Sequence, residues 1–338
     1  MSLASGWILL CAAAFVSALL TAATRYYALR RNLLDAPGRR RSHALPTPRG
    51  GGLGPILTIL VAGVCWLVIT HRLDKSIATC LAGLSLVAVI GWWDDHRPLP
   101  ASLRLTIHLA AAALAALGLL GMPSTPAQSG LLLIAIIWIA GLINAWNFMD
   151  GIDGIATTQA IMVTACVLIG GALFAWLDAR WMAAGWVAIG ALLGFLPFNF
   201  PRARIFLGDV GSGALGFMIA CLLLRAIVSG GMRWPLAMLA VSAFGIDAAL
   251  TLGKRMAQRK AWWRPHREHL YQWMVRRGKS HQWVNLAYAT WTLLACVMTL
   301  IAAPAGAVLS AWMTIAALSC ACLLWLGARR RLGGRTRT

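Results

Sequence analysis

Four polar side chains, one every third residue, break an otherwise apolar sequence at N-A-W-N-F-M-D-G-I-D-G-I-A: Asn144, Asn147, Asp150 and Asp153. On a helical or 3₁₀ backbone this spacing sets successive groups side by side, so amides and carboxylates form one stripe. Such a stripe suits a hard cation, and Gly151 and Gly154 let the backbone turn or approach a ligand between the two acids. Two helices that meet at a membrane surface, with Asn and Asp as ordinary caps, would account for the same residues.

Other carboxylates also stand where apolar runs end. Asp94 and Asp95 close the run before His96-Arg97-Pro98. Adjacent helical residues point about 100° apart, so these acids are suited to divided labour, one orienting a ligand and the other taking a proton. A polar stop with Arg97 as ion-pair partner is the plainer account. Arg104 and His108 follow closely and could face the same site. Asp209 lies among Gly208, Gly211 and Gly213 at the start of a run whose helix N-terminus would favour phosphate oxygens; alone, it reads as an N-cap. Asp247 is either a functional acid or the partner of Lys254 and Arg255. The loop from Trp262 to Trp273 mixes cations, imidazoles and aromatics, suited to a diphosphate and a nucleobase or to an amphipathic helix on anionic lipid. Gly50, Gly51 and Gly52 could offer backbone N–H groups to a phosphate, or permit tight helix packing.

These residues are positioned by the runs between them. The 338 residues are 60% hydrophobic and 12% charged, with mean hydropathy +0.73, which excludes an ordinary soluble domain. About eleven runs are long enough to cross a bilayer, roughly 7–24, 52–70, 76–93, 105–121, 130–146, 155–176, 181–198, 213–231, 234–252, 284–303 and 306–326. The expected fold is an all-α polytopic membrane protein, a single domain over 1–338 with a large basic loop at 253–283. The first run lacks a preceding basic residue and is expected to be retained. Loops alternate so that 25 of the 30 Lys and Arg residues fall on one side. The positive-inside rule makes that side cytoplasmic, with the N-terminus outside and the C-terminus inside. The net charge of +20 is therefore mainly topological, and nucleic-acid binding is disfavoured. All eight cysteines lie within apolar runs and read as packing residues.

Eight of the ten acidic residues fall on the cytoplasmic side; Asp74 and Asp178 are the others. Clustered carboxylates repel, and a divalent cation is their natural complement. Oxygen ligands favour Mg²⁺, with Mn²⁺ as the second candidate, and Mg²⁺ commonly draws on one or two carboxylates plus substrate phosphates.

Taken together and in order, D94-D95, N144-x-x-N147-x-x-D150-G-x-D153-G, F206-L207-G208-D209-x-G211-S212 and H266-R267-E268-H269 resemble the polyprenyl-phosphate N-acetylhexosamine-1-phosphate transferase family, the bacterial glycosyltransferase 4 group. The resemblance extends over most of the chain, including P48-R49-G50-G51. It implies transfer of a sugar 1-phosphate from a UDP-N-acetylamino sugar to undecaprenyl phosphate, with release of UMP, at the cytoplasmic face of a bacterial inner membrane. It implies that Asp209 leads the Mg²⁺ ligands with Asp95 near the metal, and that Asp94 or Asp95 engages the lipid phosphate. Asn147, Asp150, Asp153 and Asn199 would shape the nucleotide pocket, and Arg267 and His269 would contact the sugar diphosphate. A direct displacement is preferred, because a lipid phosphate is already largely ionised at neutral pH; an aspartyl-phosphate route stays open. Where many relatives carry His-x-His-His, this chain has His269-Leu270-Tyr271-Gln272, which leaves the sugar open and resembles the branch that starts O-antigen chains. The oligomeric state, a homodimer included, is also open. The rival class is a polytopic transporter or flippase of lipid-linked glycans, which would place polar groups near the bilayer midplane; Arg225 is the clearest mid-span charge.

Overall fold

Each of the apolar runs becomes helix in the computed structural model, which describes residues 3–35, 46–71, 73–261 and 266–333. Helix α1 (Leu3–Arg30) leads through strand β1 (Leu34–Asp35), paired antiparallel with β2 (Thr47–Pro48), to α2 (Leu53–Thr70) and α3 (Lys75–His96). There follow α4 (Ala101–Leu120), α5 (Pro126–Met149), α6 (Ile155–Phe174), α7 (Ala179–Asn199) and α8 (Gly208–Val228). The chain ends with α9 (Trp234–Ala240), α10 (Ser242–Ala257), the short α11 (Leu270–Arg276), α12 (His281–Ala302) and α13 (Ala307–Gly333). The basic run 36–45 with His43, Arg72, Trp262 to Pro265 and the tail 334–338 lie outside the described residues.

Ten of these helices are long and apolar enough to cross a membrane. The expected straight span at 234–252 is instead broken: α9 and α10 form one apolar unit bent by 85° at Val241. Apolar periodicity does not register such a bend, because both arms are apolar and the joint carries no proline or glycine.

Helix α8 is the centre of the bundle and packs against α2, α3, α4, α5 and α6. No charged residue stands between Asp209 and Arg225, and nearly every side chain in that interval is buried. Gly91 lets α3 reach the first turn of α8: a Cβ there would meet the Asp209 carbonyl oxygen at 2.4 Å. That contact brings Asp94 and Asp95 beside Asp209. Outward-facing side chains such as Val61, Ile69, Ile134, Ile137, Leu323 and Leu324 are large, apolar and exposed, the surface a helix presents to lipid tails.

The two ends of the bundle differ in their use of charge. At one end Asp74 and Asp178 cap α3 and α7 by accepting backbone N–H bonds. Arg180 pairs with both of them, and Arg225 pairs with Asp178 at 3.0 Å. Burial acts to raise the Asp178 carboxyl, but hydrogen bonds from Arg180 and Arg225 outweigh it and hold the group at about 2. Arg225 is thus not a mid-span charge; it lies in the last turn of α8, tied to a cap. The remaining acids, except Asp247 within α10, gather at or beyond the opposite helix ends.

Candidate active site

At that opposite end the first turn of α8 is held by an acid from another helix. Asp95, 4% exposed, accepts from the backbone N–H of Asp209 on Oδ1 and of Val210 on Oδ2, each at 3.1 Å. The capping function that sequence alone allowed to Asp209 is therefore performed by Asp95, and Asp209 is freed to project from the first turn. Gly208 has φ +76°, and a Cβ there would stand 2.5 Å from Asp95 Oδ2, so only glycine allows this approach. A ladder supports it from outside: Phe206 N–H donates to the Pro48 carbonyl, while Gly51 and Gly52 N–H donate to those of Phe206 and Leu207, all at 2.8 Å. Those two glycine amides serve the fold, so the phosphate reading does not hold for Gly51 and Gly52.

Asp94 takes a different set of partners. It accepts from Leu99 N–H at 2.6 Å and from Arg104 Nη1 at 2.8 Å, so Arg104, not Arg97, is its ion-pair partner. The same Nη1 lies 3.6 Å from Asp209 Oδ2. Asp209 Oδ1 accepts from Asn147 Nδ2 at 2.6 Å, and Asn147 also reaches Ser212 Oγ at 3.0 Å.

The N-x-x-N-x-x-D-x-x-D element is not one stripe. Its helical part ends at Met149, with Asp150 as C-cap and Asp153 on the turn before α6. Asn147, Asp150 and Asp153 line one polar cavity, whereas Asn144 donates to its own helix at Ala140 O and faces a different space. Asn199, 3% exposed, clamps the turn by accepting from Gly154 N–H and donating to Ile205 O, both at 3.1 Å. Asp153 Oδ2 accepts from Ala203 N–H at 3.3 Å and lies 3.3 Å from His281 Nδ1. His281 escaped sequence reasoning, since it sits alone at the start of α12 with no motif around it.

The polar cavity has a volume of about 250 Å³ and brings together Asp95, Asp150, Asp153 and Asp209 with Arg49, Asn147, Gln272 and His281. Burial, reinforced by the charges of Asp95 and Asp153, pushes the Asp150 carboxyl up to about 7. A cluster with that excess of negative charge fits a hard divalent cation. Among the described residues no three His, Cys, Asp or Glu side chains are gathered closely enough to chelate one unaided. The donor set therefore suits Mg²⁺ sharing its shell with water and phosphate oxygens. Asp209 and Asp150 are the available carboxylates, while both oxygens of Asp95 already accept amide bonds.

The loop after α10 is placed differently from expectation. His269 is 2% exposed, its Nδ1 3.8 Å from Asp247 Oδ1, and its ring lies against Phe148 and Tyr271; it does not line the polar cavity. Gln272 reaches that cavity instead. Arg267 borders the loop, and its carbonyl accepts from Arg276. Asp247 pairs with neither Lys254 nor Arg255: it accepts from Leu270 N–H, Thr251 Oγ1, Tyr288 Oη and Trp325 Nε1, while Arg255 pairs with Glu268. It is a junction joining α10, α11, α12 and α13.

A second space opens on the other side of Asp209. A trough of about 1050 Å³ runs between α4, α5 and α10, lined chiefly by apolar residues such as Leu105, Leu109, Ile137, Ala248 and Leu252. Asn147 and Asp209 border both the trough and the polar cavity, and Arg104 and His108 line the trough wall.

Fold and site together define a multi-pass helical membrane protein with an acid cluster set between a polar cavity and an apolar trough. Residues 77–227, which include Asp94, Asp95, the Asn144–Asp153 element and Asp209, match the family described as glycosyl transferase family 4. The chain is 28% identical over 317 residues to a decaprenyl-phosphate N-acetylglucosaminephosphotransferase of Mycobacterium tuberculosis, covering 82% of this chain and 78% of the relative. It is 27% identical over 281 residues to a Bacillus subtilis protein named probable undecaprenyl-phosphate N-acetylglucosaminyl 1-phosphate transferase, covering 78% and 75%. A phospho-N-acetylmuramoyl-pentapeptide-transferase of Streptococcus sanguinis is 30% identical over 215 residues, covering 58% and 63%.

Proposed function

We propose that this protein transfers an N-acetylamino-sugar 1-phosphate from a UDP-sugar to undecaprenyl phosphate and releases UMP. The observation that carries the reading is the meeting of a polar, acid-lined cavity with an apolar trough at Asn147 and Asp209. A soluble nucleotide sugar and a membrane lipid need two such surfaces converging on one point. The relatives' names support the polyprenyl phosphate acceptor. The transporter reading is disfavoured, because the acid cluster lies at one end of the bundle and Arg225 is a salt-bridged end residue.

In this reading the lipid tail occupies the trough and its phosphate lies near Arg104, while the donor diphosphate enters the polar cavity. A phosphate oxygen of the acceptor attacks the sugar-linked phosphorus. The bond from that phosphorus to the bridging oxygen breaks, and UMP departs. Arg104 offsets acceptor charge, and Asn147 orients Asp209. Asp95 fixes the backbone that carries Asp209, and Asp94 fixes Arg104. Mg²⁺, held by Asp209 with Asp150 and with Asp95 as a further candidate, would neutralise the charge shared by the two phosphates. With the reacting groups already ionised, positioning and charge compensation supply the catalysis. The site faces the cytoplasm of a bacterial inner membrane, and the product begins an O-antigen or related surface polysaccharide.

The test is UMP release by the purified protein with undecaprenyl phosphate, Mg²⁺ and a panel of UDP-N-acetylamino sugars. Release that requires both lipid and metal is expected. Release without lipid, or undiminished in EDTA, would overturn the reading.

A further inference from the structure

Three acids of the polar cavity are held by hydrogen bonds to their own carboxylates, and a fourth is not. Asp209 accepts from Asn147, both oxygens of Asp95 accept backbone amides, and Asp153 accepts from Ala203 N–H and lies beside His281. Asp150 feels burial and the charges of Asp95 and Asp153, and among the described residues none donates a hydrogen bond to it. Its placement is therefore decided by the backbone that carries it. That backbone is the end of α5, where the last carbonyls of a helix have no partner within it. One of them, Phe148 O, accepts from Tyr271 Oη at 3.0 Å, from a residue 123 positions further along the chain.

Tyr271 is 1% exposed and is itself held: its Oη accepts from Gln272 Nε2 at 3.2 Å, and the preceding Leu270 N–H donates to Asp247 Oδ1 at 2.9 Å. The hydroxyl also fills the space beside Gly151. A Cβ there would meet Oη at 2.1 Å, and its three nearest atoms would all belong to Tyr271. Gly151 lies outside the left-handed backbone region, so glycine is required by the tyrosine and not by the turn.

We infer that Tyr271 is a positioning residue for Asp150: its hydroxyl caps the end of α5 and sets the turn at Gly151 that presents Asp150 to the cavity. This rests on the transferase reading, in which Asp150 shares a divalent cation with Asp209, and goes beyond it by naming what sets that ligand. Tyr271 does not line the polar cavity, whereas Gln272 does, so the phenol acts on the site through the backbone. Without the hydroxyl, Phe148 O is a buried carbonyl lacking its donor, and the end of α5 shifts to find another. The tyrosine stands where the sequence departs from His-x-His-His, and at this position the departure supplies a strut.

The experiment measures Mn²⁺ binding, as a spectroscopic stand-in for Mg²⁺, by electron paramagnetic resonance on the detergent-solubilised full chain without substrates, together with Tm. Wild type is expected to bind the ion. Tyr271→Phe, which keeps the ring and removes the hydroxyl, is expected to weaken binding about three- to tenfold, the range of one lost hydrogen bond. Gly151→Ala, which keeps the hydroxyl and crowds it, is expected to weaken binding at least as much. The double variant is expected to bind no worse than Gly151→Ala alone, because the phenylalanine removes the atom that the new Cβ would meet first. In turnover assays KM for the lipid is expected to stay within about twofold in each variant. If Tyr271→Phe lowers Tm yet binds Mn²⁺ like wild type, or if the two losses simply add, the hydroxyl serves only the loop and the inference is overturned. Where Tyr271→Phe does not fold, wild-type affinity in Gly151→Ala overturns it equally. Each of these outcomes leaves the transferase reading standing. A wild type that binds no Mn²⁺ overturns the metal assignment of Asp150 and the inference together.

Discussion

Asp209 is oriented by three neighbours that fix its position. Asn147 holds one oxygen, Arg104 approaches the other, and Asp95 holds the backbone. Asp209→Asn preserves the shape and removes the charge. UMP release should fall by on the order of 10²–10³-fold while thermal unfolding stays at least as high as in wild type. A variant with wild-type turnover would remove Asp209 from the centre. Asp150 gives a pH signature. The folded chain holds its proton up to about 7, whereas the unfolded chain releases it in the usual carboxylate range. The group's contribution to stability is therefore present below that range and lost as pH rises towards about 7. In EDTA, wild-type Tm should decline between about pH 5 and about pH 8 more steeply than that of Asp150→Asn, and added Mg²⁺ should restore wild type preferentially. Equal slopes in the two proteins would refute the assignment.

The elements were legible where periodicity speaks and obscure where single side chains decide. The apolar runs marked the helices because a bilayer demands such runs. The acids marked the site because they stand where those runs end. Hidden from sequence were the acid that caps a distant helix, the lone His281, and the junction at Asp247, since each depends on contacts far apart in the chain. Asp247 collects donors from three helices besides its own α10. Asp247→Ala strands these donors in a buried setting and should cost on the order of 3–5 kcal/mol, read as lowered Tm. His269→Ala should lower Tm as well, because the ring is buried beside that junction; a loss of UDP-sugar affinity at unchanged Tm would return His269 to the direct sugar-contacting role implied by the family motif. Gly91→Val forces α3 away from the Asp209 carbonyl and should abolish turnover together with stability.

At the scale of the whole molecule, charge alone suggested that eight acids share one side. The structure places the polar, acid-lined cavity at that end and an arginine-tied set of caps at the other. Which end faces the cytoplasm follows from the basic loops as a prediction. On intact cells, a membrane-impermeant maleimide should label S124C, in the turn before α5, and spare R202C until the membrane is opened. The reverse pattern would invert the topology. The 85° bend between α9 and α10 carries one more consequence, for kinetics. Because α10 borders the trough and leaves the line of α9, a lipid bound there has its tail in the leaflet throughout and need not be extracted from it. Encounter is then a search in two dimensions, so turnover in proteoliposomes should follow the mole fraction of polyprenyl phosphate in the bilayer and stay unchanged when vesicles of fixed composition are diluted in buffer.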